Sequence, residues 1–201
     1  GFKVGDIYYK PNGEPEGVVW WIADTTITID TFYYGQHGKL ISKFSGGDCA
    51  LQWGLGPAPS AAYYILAFDS LDGEINTDII MQWKDTTTVD TIWARRVQAA
   101  PWCRSLGAEW YLPALKEAYA MFALTVNVIN PVLATIPNAD TITTKVLVCT
   151  RYWTSTAVYP YNGHTYLVGI GNDPDYNVHN NLIMSTFEQQ QSYGVRAVRK
   201  F

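Results

Sequence analysis

Apolar positions follow a strand-like pattern at both ends of the chain and a helix-like pattern in the middle. Residues 17–23 (GVVWWIA) are a nearly unbroken apolar run of strand length, which predicts a buried strand. Residues 25–34 (TTITIDTFYY) alternate β-branched and polar side chains, Gly35 and Gly38 mark turns, and 39–44 (KLISKF) reads as the next strand. From 45 to 75, glycine and proline cluster (Gly46, Gly47, Gly54, Gly56, Pro57, Pro59), which predicts long loops with little regular structure.

The period then changes. A helix is expected to begin near Asn76 or Thr77, either of which could cap the unpaired amides that follow. A second helical stretch opens around Thr88 and carries Trp93, Val97, Ala100 and Cys103 on one stripe, with Pro101 marking a kink or a new start. Pro113 suits the first turn of a further helix whose inner face would be Leu115, Tyr119, Phe122 and Val126. Strands return at 145–148, 152–156, 165–170 and 194–201. Strands at both ends with helices between them predict an α+β fold, and no linker or repeat interrupts it, so residues 1–201 read as one domain.

Composition narrows the function classes. At 201 residues with 48% hydrophobic and 16% charged positions, the chain can bury a large core and is no disordered tail. A net charge of −4 supplies no basic footprint for nucleic acid. The longest apolar runs fall far short of the ~20 residues needed to cross a bilayer, so no membrane insertion by this segment is expected.

Catalytic and metal chemistry find little support in the spacings. Cys49, Cys103 and Cys149 form no CxxC pair, and one disulfide in any of three pairings or three thiols would fit. His37, His164 and His179 accompany no nucleophile motif such as GxSxG. Asp173 and Asp175 could work with Glu188 in glycosidic hydrolysis, but a solvated acidic turn is the far better explanation of the first two. Asp69, Asp72, Asn76 and Asp78 offer oxygens near Gly73, which makes calcium the one candidate ion, although the spacing is not that of an EF-hand. No catalytic residue, metal ligand or cofactor is assigned. Arg196 and Lys200 would share one strand face and Arg199 the other, so no single cationic patch follows.

The densest chemical signal lies between Tyr159 and Asn181. Five Asn and four Tyr, with two His and two Asp, make up 13 of these 23 residues, and half of the ten Asn in the chain fall here. No Lys or Arg occurs from Tyr152 to Val195. Tyrosine gives rigid contact area at small entropic cost, and amides give adaptable donors and acceptors, the mixture that paratopes favour. Sugars suit it too, ring against ring and amide against hydroxyl. The candidate ligand-binding residues are Tyr159, Tyr161, Asn162, His164, Asn172, Asp173, Asp175, Tyr176, Asn177, His179, Asn180 and Asn181.

Four ordered stretches carry a family resemblance: Val4-Gly5-Asp6 with 17–20 (GVVW); 37–42 (HGKLIS); 102–107 (WCRSLG) running into 110–115 (WYLPAL); and 152–156 (YWTST) with 195–199 (VRAVR). Together they resemble the bacterial surface domains typified by the C-terminal domain of the Legionella collagen-like adhesin. The resemblance implies a C-type-lectin-like fold, related to the formylglycine-generating enzyme and to the variable receptors of diversity-generating retroelements. It implies N- and C-terminal strands paired in a sheet, two main helices and long ligand-bearing loops. Those variable receptors place their diversified positions before a closing strand, where the Tyr- and Asn-rich window stands here. The enzyme relatives use a close cysteine pair that this sequence lacks.

The resulting expectation is a non-enzymatic, extracellular or cell-surface adhesin or receptor module. Its partner would be a glycan or a protein. The adhesin relative suggests glycosaminoglycans, whereas a cation-free window argues against a sulfated ligand at that place. The alternatives are an enzyme of the formylglycine-generating or glycosidase type, and a structural subunit of a surface filament or pilus tip.

Overall fold

Residues that sit side by side on the strands point to opposite faces, and here both faces are covered. The computed structural model describes residues 1–23, 37–54, 65–86, 96–142, 151–158, 164–169, 183–188 and 192–201. In chain order they form β1 (Ile7–Tyr9), β2 (Pro15–Ile22), β3 (Gly38–Gln52), α1 (Gly73–Thr86), α2 (Ala99–Ser105), β4 (Trp110–Tyr111), α3 (Leu115–Phe122), a π-helical turn (Thr125–Ile129), α4 (Asn130–Leu133), β5 (Arg151–Ala157), β6 (His164–Gly169), β7 (Ile183–Glu188) and β8 (Ser192–Lys200). The eight strands make one sheet in the order β1-β2-β3-β8-β5-β6-β7, with β4 pairing to β8. The α+β class expected from the patterning is the one observed.

Two apolar clusters divide the strand residues between them. Val19, Leu40, Trp110, Trp153, Leu167 and Ala197 join Ile80 of α1 and Ala99, Ala100 and Cys103 of α2. Their immediate neighbours Val18, Ile41, Tyr111, Tyr152, Val168 and Val198 join Ala118, Met121 and Phe122 of α3 and Leu133 of α4. A strand covered on both sides must be apolar at successive positions, which is why 17–23 reads as a run rather than as an alternation.

Several sequence expectations require correction. The glycines at 46 and 47 do not end the strand, because β3 continues to Gln52. A Cβ at Gly46 would lie 2.7 Å from the Trp102 ring, so the glycine admits a tryptophan pressed against the strand. α1 begins at Gly73, ahead of the expected caps, and the Asp72 carboxylate accepts the Glu74 and Ile75 amides at 3.0 and 3.3 Å. Asn76 and Thr77 are buried inside the helix instead. Pro101 lies in the first turn of α2, so the new start is the alternative realised. Pro113 precedes α3 rather than entering it, and the inner face is Ala118, Met121 and Phe122, with Tyr119 and Val126 exposed. β7 is a strand that the patterning does not predict. The expected strands at 25–34 and 145–148, and the start of the helix at Thr88 with Trp93, lie outside the described residues.

The terminal strands share the sheet without being partners. β1 pairs only with β2, whereas β8 lies inside the sheet between β3 and β5 and also pairs with β4. The chain ends still meet. Phe2, Tyr8 and Phe201 form a ring trio with centroids 5.0–5.3 Å apart, and Phe201 exchanges two backbone hydrogen bonds with Gly38.

Candidate recognition site

β5 is the beam from which the candidate site hangs. Its residues 152–157 are all buried, although Thr154, Ser155 and Thr156 are polar, so each hydroxyl must find a partner. Thr154 donates to the Tyr166 carbonyl at 2.9 Å, and Thr156 donates to the Asp69 carbonyl at 2.7 Å while accepting the Leu115 amide at 3.0 Å. Ser155 Oγ accepts from the Asn76 side-chain amide at 3.1 Å. That same amide donates to the Asp69 carbonyl at 2.6 Å, and Asn76 Oδ1 accepts the Asp69 N–H at 3.0 Å. Two indoles complete the lock: Trp53 donates to the Thr154 carbonyl at 2.7 Å and Trp153 to the Leu51 carbonyl at 2.8 Å. Trp53 escaped the sequence reading, and Asn76 entered it only as a cap or calcium oxygen, not as the bridge between Asp69 and Ser155. The signal available was a polar TST triplet inside an apolar strand, which demands buried partners elsewhere.

β5 parts from β8 beyond its start. The two pair in parallel only at Tyr152 and Gly194. Further along, Ser155 N–H donates to the Pro113 carbonyl at 2.8 Å and Ala157 N–H to the Ala67 carbonyl at 2.7 Å, so the chain segments flanking α1 and α3 replace a strand neighbour. On the other side β6 runs antiparallel to β5, and β7 antiparallel to β6.

This register determines where the Tyr- and Asn-rich window is held. The Val158 amide donates to the His164 carbonyl at 3.1 Å, so residues 159–163 connect two hydrogen-bonded positions at the His164 end of β6. Gly169 stands opposite Ile183, so residues 170–182 connect two paired positions at the other end. Those two ends are about 17 Å apart along a strand of this length. Tyr159, Tyr161 and Asn162 therefore belong to the first connection. Asn172, Asp173, Asp175, Tyr176, Asn177, His179, Asn180 and Asn181 belong to the second. All of these lie outside the described residues. His164, the remaining candidate, is half-buried at the start of β6, opposite Glu188 in register. Thr165 and Leu167, one step away on either side of Tyr166, are fully buried.

Close to Tyr152 at the start of β5 lies a buried cation. Arg196 of β8 is fully buried, and its Nη1 and Nη2 donate to the carbonyls of Ser42 at 3.2 Å and Asp140 at 2.5 Å. Burial pulls its pKa below the ordinary arginine value, against the opposing influence of Tyr152 and Asp140. Tyr152 in turn stacks on Phe122 at 4.9 Å. The other two terminal cations go elsewhere: Arg199 pairs with Glu16 at 2.5 Å, and Lys200 pairs with Glu74 at 2.8 Å and Asp72 at 3.3 Å. The three cations form no common patch, as their strand positions require.

The candidate calcium segment is occupied by protein donors. Asp69 Oδ1 accepts the Leu71 and Asp72 amides at 2.6 and 2.8 Å, Asp72 caps α1 and meets Lys200, and Asp78 pairs with Arg104. Among the described residues, no group of three or more His, Cys, Asp or Glu is placed to hold a metal. Cys103 is a free thiol buried in the apolar cluster beneath α2, where burial pushes its pKa far above the ordinary cysteine range. Among the described residues, no helix is long and apolar enough to cross a membrane.

No protein-family model matches this sequence, and no curated protein matches it either.

Proposed function

We propose that the chain is a non-enzymatic ligand-binding module of C-type-lectin-like fold, acting as an adhesin or receptor at a bacterial cell surface. It grips a glycan or a protein mainly through residues 170–182, with 159–163 as a second element. The carrying observation is the register of β6 and β7: eight of the twelve candidate residues sit in one connection that is tied at both ends to directly opposed strand positions, Gly169 and Ile183. Recognition by tyrosines and amides gains affinity when the scaffold beneath them is already ordered, because less freedom is lost on binding. The locked β5 and the buried Arg196 supply such a scaffold. The absence of Lys and Arg from 152 to 195 favours an uncharged or cationic ligand over a sulfated one.

The alternatives fare less well on specific grounds. An oxidase of the formylglycine-generating type would draw on a close cysteine pair, which this sequence lacks. Of the three cysteines, Cys103 is shut in the core with its thiol held protonated, while the side chains of Cys49 and Cys149 lie outside what the structure describes. A filament subunit that exchanges a terminal strand would need β8 to come away, yet β8 is interior and paired on both sides.

A broad glycan and protein array probed with the wild-type chain tests the reading. Tyr176→Ala combined with Asn177→Ala is expected to abolish the signal, and Tyr161→Ala to weaken it. Binding that survives both variants undiminished refutes the assignment.

A further inference from the structure

Among the described residues the sheet has two edges. One is β7, and β1 forms the other with Ile7, Tyr8 and Tyr9. The Asp6 carbonyl accepts the Val19 amide at 2.9 Å and the Lys10 amide donates to the Glu14 carbonyl at 2.9 Å, so residues 6, 8 and 10 turn their peptide groups toward the hairpin partner. By alternation, the N–H and C=O of Ile7 and Tyr9 point away from the sheet. Beside them runs an open groove of about 500 Å³, lined mainly by the apolar Phe2, Ile7, Tyr9, Pro131 and Val132 with Asp6 and Thr135 at its margin, and Tyr9 is 53% exposed.

We propose that β1 is a self-association edge, on which a second copy of this chain adds its own β1 antiparallel about a two-fold axis at Tyr8. Register and charge both select this occupant. With the axis at Tyr8, Ile7 of one copy faces Tyr9 of the other twice over, so all four outward-pointing peptide groups pair as hydrogen-bonded positions. An axis at Ile7 or at Tyr9 would leave part of this set unused. Continued one residue past each end of β1, the same register sets the exposed Lys10 opposite the partner's Asp6, whose carboxylate also accepts its own Lys3 amide at 2.7 Å, again twice. Opposite charges at directly facing strand positions attract, and like charges there repel. The partner's Ile7 and Tyr9 side chains enter the apolar groove against Pro131 and Val132. A two-fold edge contact of this kind closes on itself and so stops at the dimer. It runs one sheet through both copies and leaves each β7 far from the contact.

Sedimentation equilibrium of the whole chain from micromolar to millimolar concentration is expected to report a monomer–dimer equilibrium. Lys10→Glu, a change at an exposed turn residue, is expected to weaken it about tenfold or more by reversing two facing charge pairs. Asp6→Lys is expected to do the same, and an equimolar mixture of the two variants to recover dimer, because each lysine then faces an acid. Near-UV circular dichroism checks that each variant is folded; should Asp6→Lys fail to fold, Lys10→Glu alone decides. A wild-type chain that stays monomeric throughout the range overturns the proposal and assigns the short edge to protection against pairing. Association that Lys10→Glu leaves unchanged overturns it too.

Discussion

Glu117 offers the sharpest test of how the scaffold is held. Its side chain is 4% exposed yet ties four elements together. Oε1 accepts from the Lys39 ammonium of β3 at 2.5 Å and from the Tyr111 hydroxyl of β4 at 3.0 Å. Oε2 accepts the Gly73 amide at the start of α1 at 3.0 Å and the Ala114 amide before α3 at 2.9 Å. Burial and the adjacent carboxylate together push the Tyr111 phenol far above its ordinary pKa, so it stays a donor. Glu117→Ala strands two buried amides, a buried phenol and a lysine at once. An orphaned buried donor costs about 1–3 kcal/mol, and removing one partner of a buried ion pair costs about 3–5 kcal/mol. These costs overlap, so the expected loss is about 3–5 kcal/mol in all, read by urea denaturation. For a domain of this size that lowers Tm by roughly 6–20 °C. Glu117→Gln keeps the shape but converts one acceptor into a donor facing other donors, so it should recover little of the loss. A deficit below about 1 kcal/mol in Glu117→Ala would refute the argument that this carboxylate holds the layers together.

Three further outcomes follow from the same structure. Gly73→Ala places a methyl 2.4 Å from the Leu112 carbonyl oxygen and 2.5 Å from the Ala114 nitrogen, and should destabilise by about 3 kcal/mol or more in thermal melts. Asn76→Ala leaves the Asp69 amide and the Ser155 hydroxyl without their partner and should cost about 2–4 kcal/mol by urea denaturation. The pH dependence of Tm carries a signature of the Lys200 cluster. Burial alone would raise the Asp72 pKa, but the Ile75 amide and Lys200 outweigh it and hold it below 3.8, so its contribution is present at neutral pH and is lost as pH falls through the lowered value. Lys200, raised above 10.5 by Glu74 and Asp72 against the opposing effect of burial, contributes below that pH and loses its contribution as pH rises through the raised value. Lys200→Met should flatten both flanks of the Tm–pH curve.

Much of the fold is legible in the sequence, and each misreading has a physical source. The apolar run at 17–23 gives a strand whose residues 17–20 are buried on both sides, whereas Trp21, equally apolar, is 43% exposed. Cap residues mislead at 76 and 77, since Asn76 has the chemistry of a cap but spends it on Asp69 and Ser155, which are distant in sequence or fixed only by the fold. The inner stripe of α3 is misplaced because Ala118, a small residue, marks the contact face, while the larger Tyr119 is exposed. In the π-helical turn that follows, where the Ile129 amide reaches back to the Leu124 carbonyl at 2.9 Å, Thr125 and Ile129 take the buried positions and Val126 is left exposed. The candidate site is legible as a composition and not as a place. Its division between two ends of β6 depends on strand pairing, which local patterning does not encode.

The direct opposition of Gly169 and Ile183 bears on how this protein could change over time. A hairpin whose last ladder rung is already closed does not rely on the intervening chain to choose its register. The entropy of closing such a connection rises only by about 0.6 kcal/mol for each doubling of its length. A foreign peptide inserted between these two positions is therefore expected to leave their pairing in place, which a thermal melt of the insertion variant checks. That makes this stretch a natural graft point for combinatorial libraries.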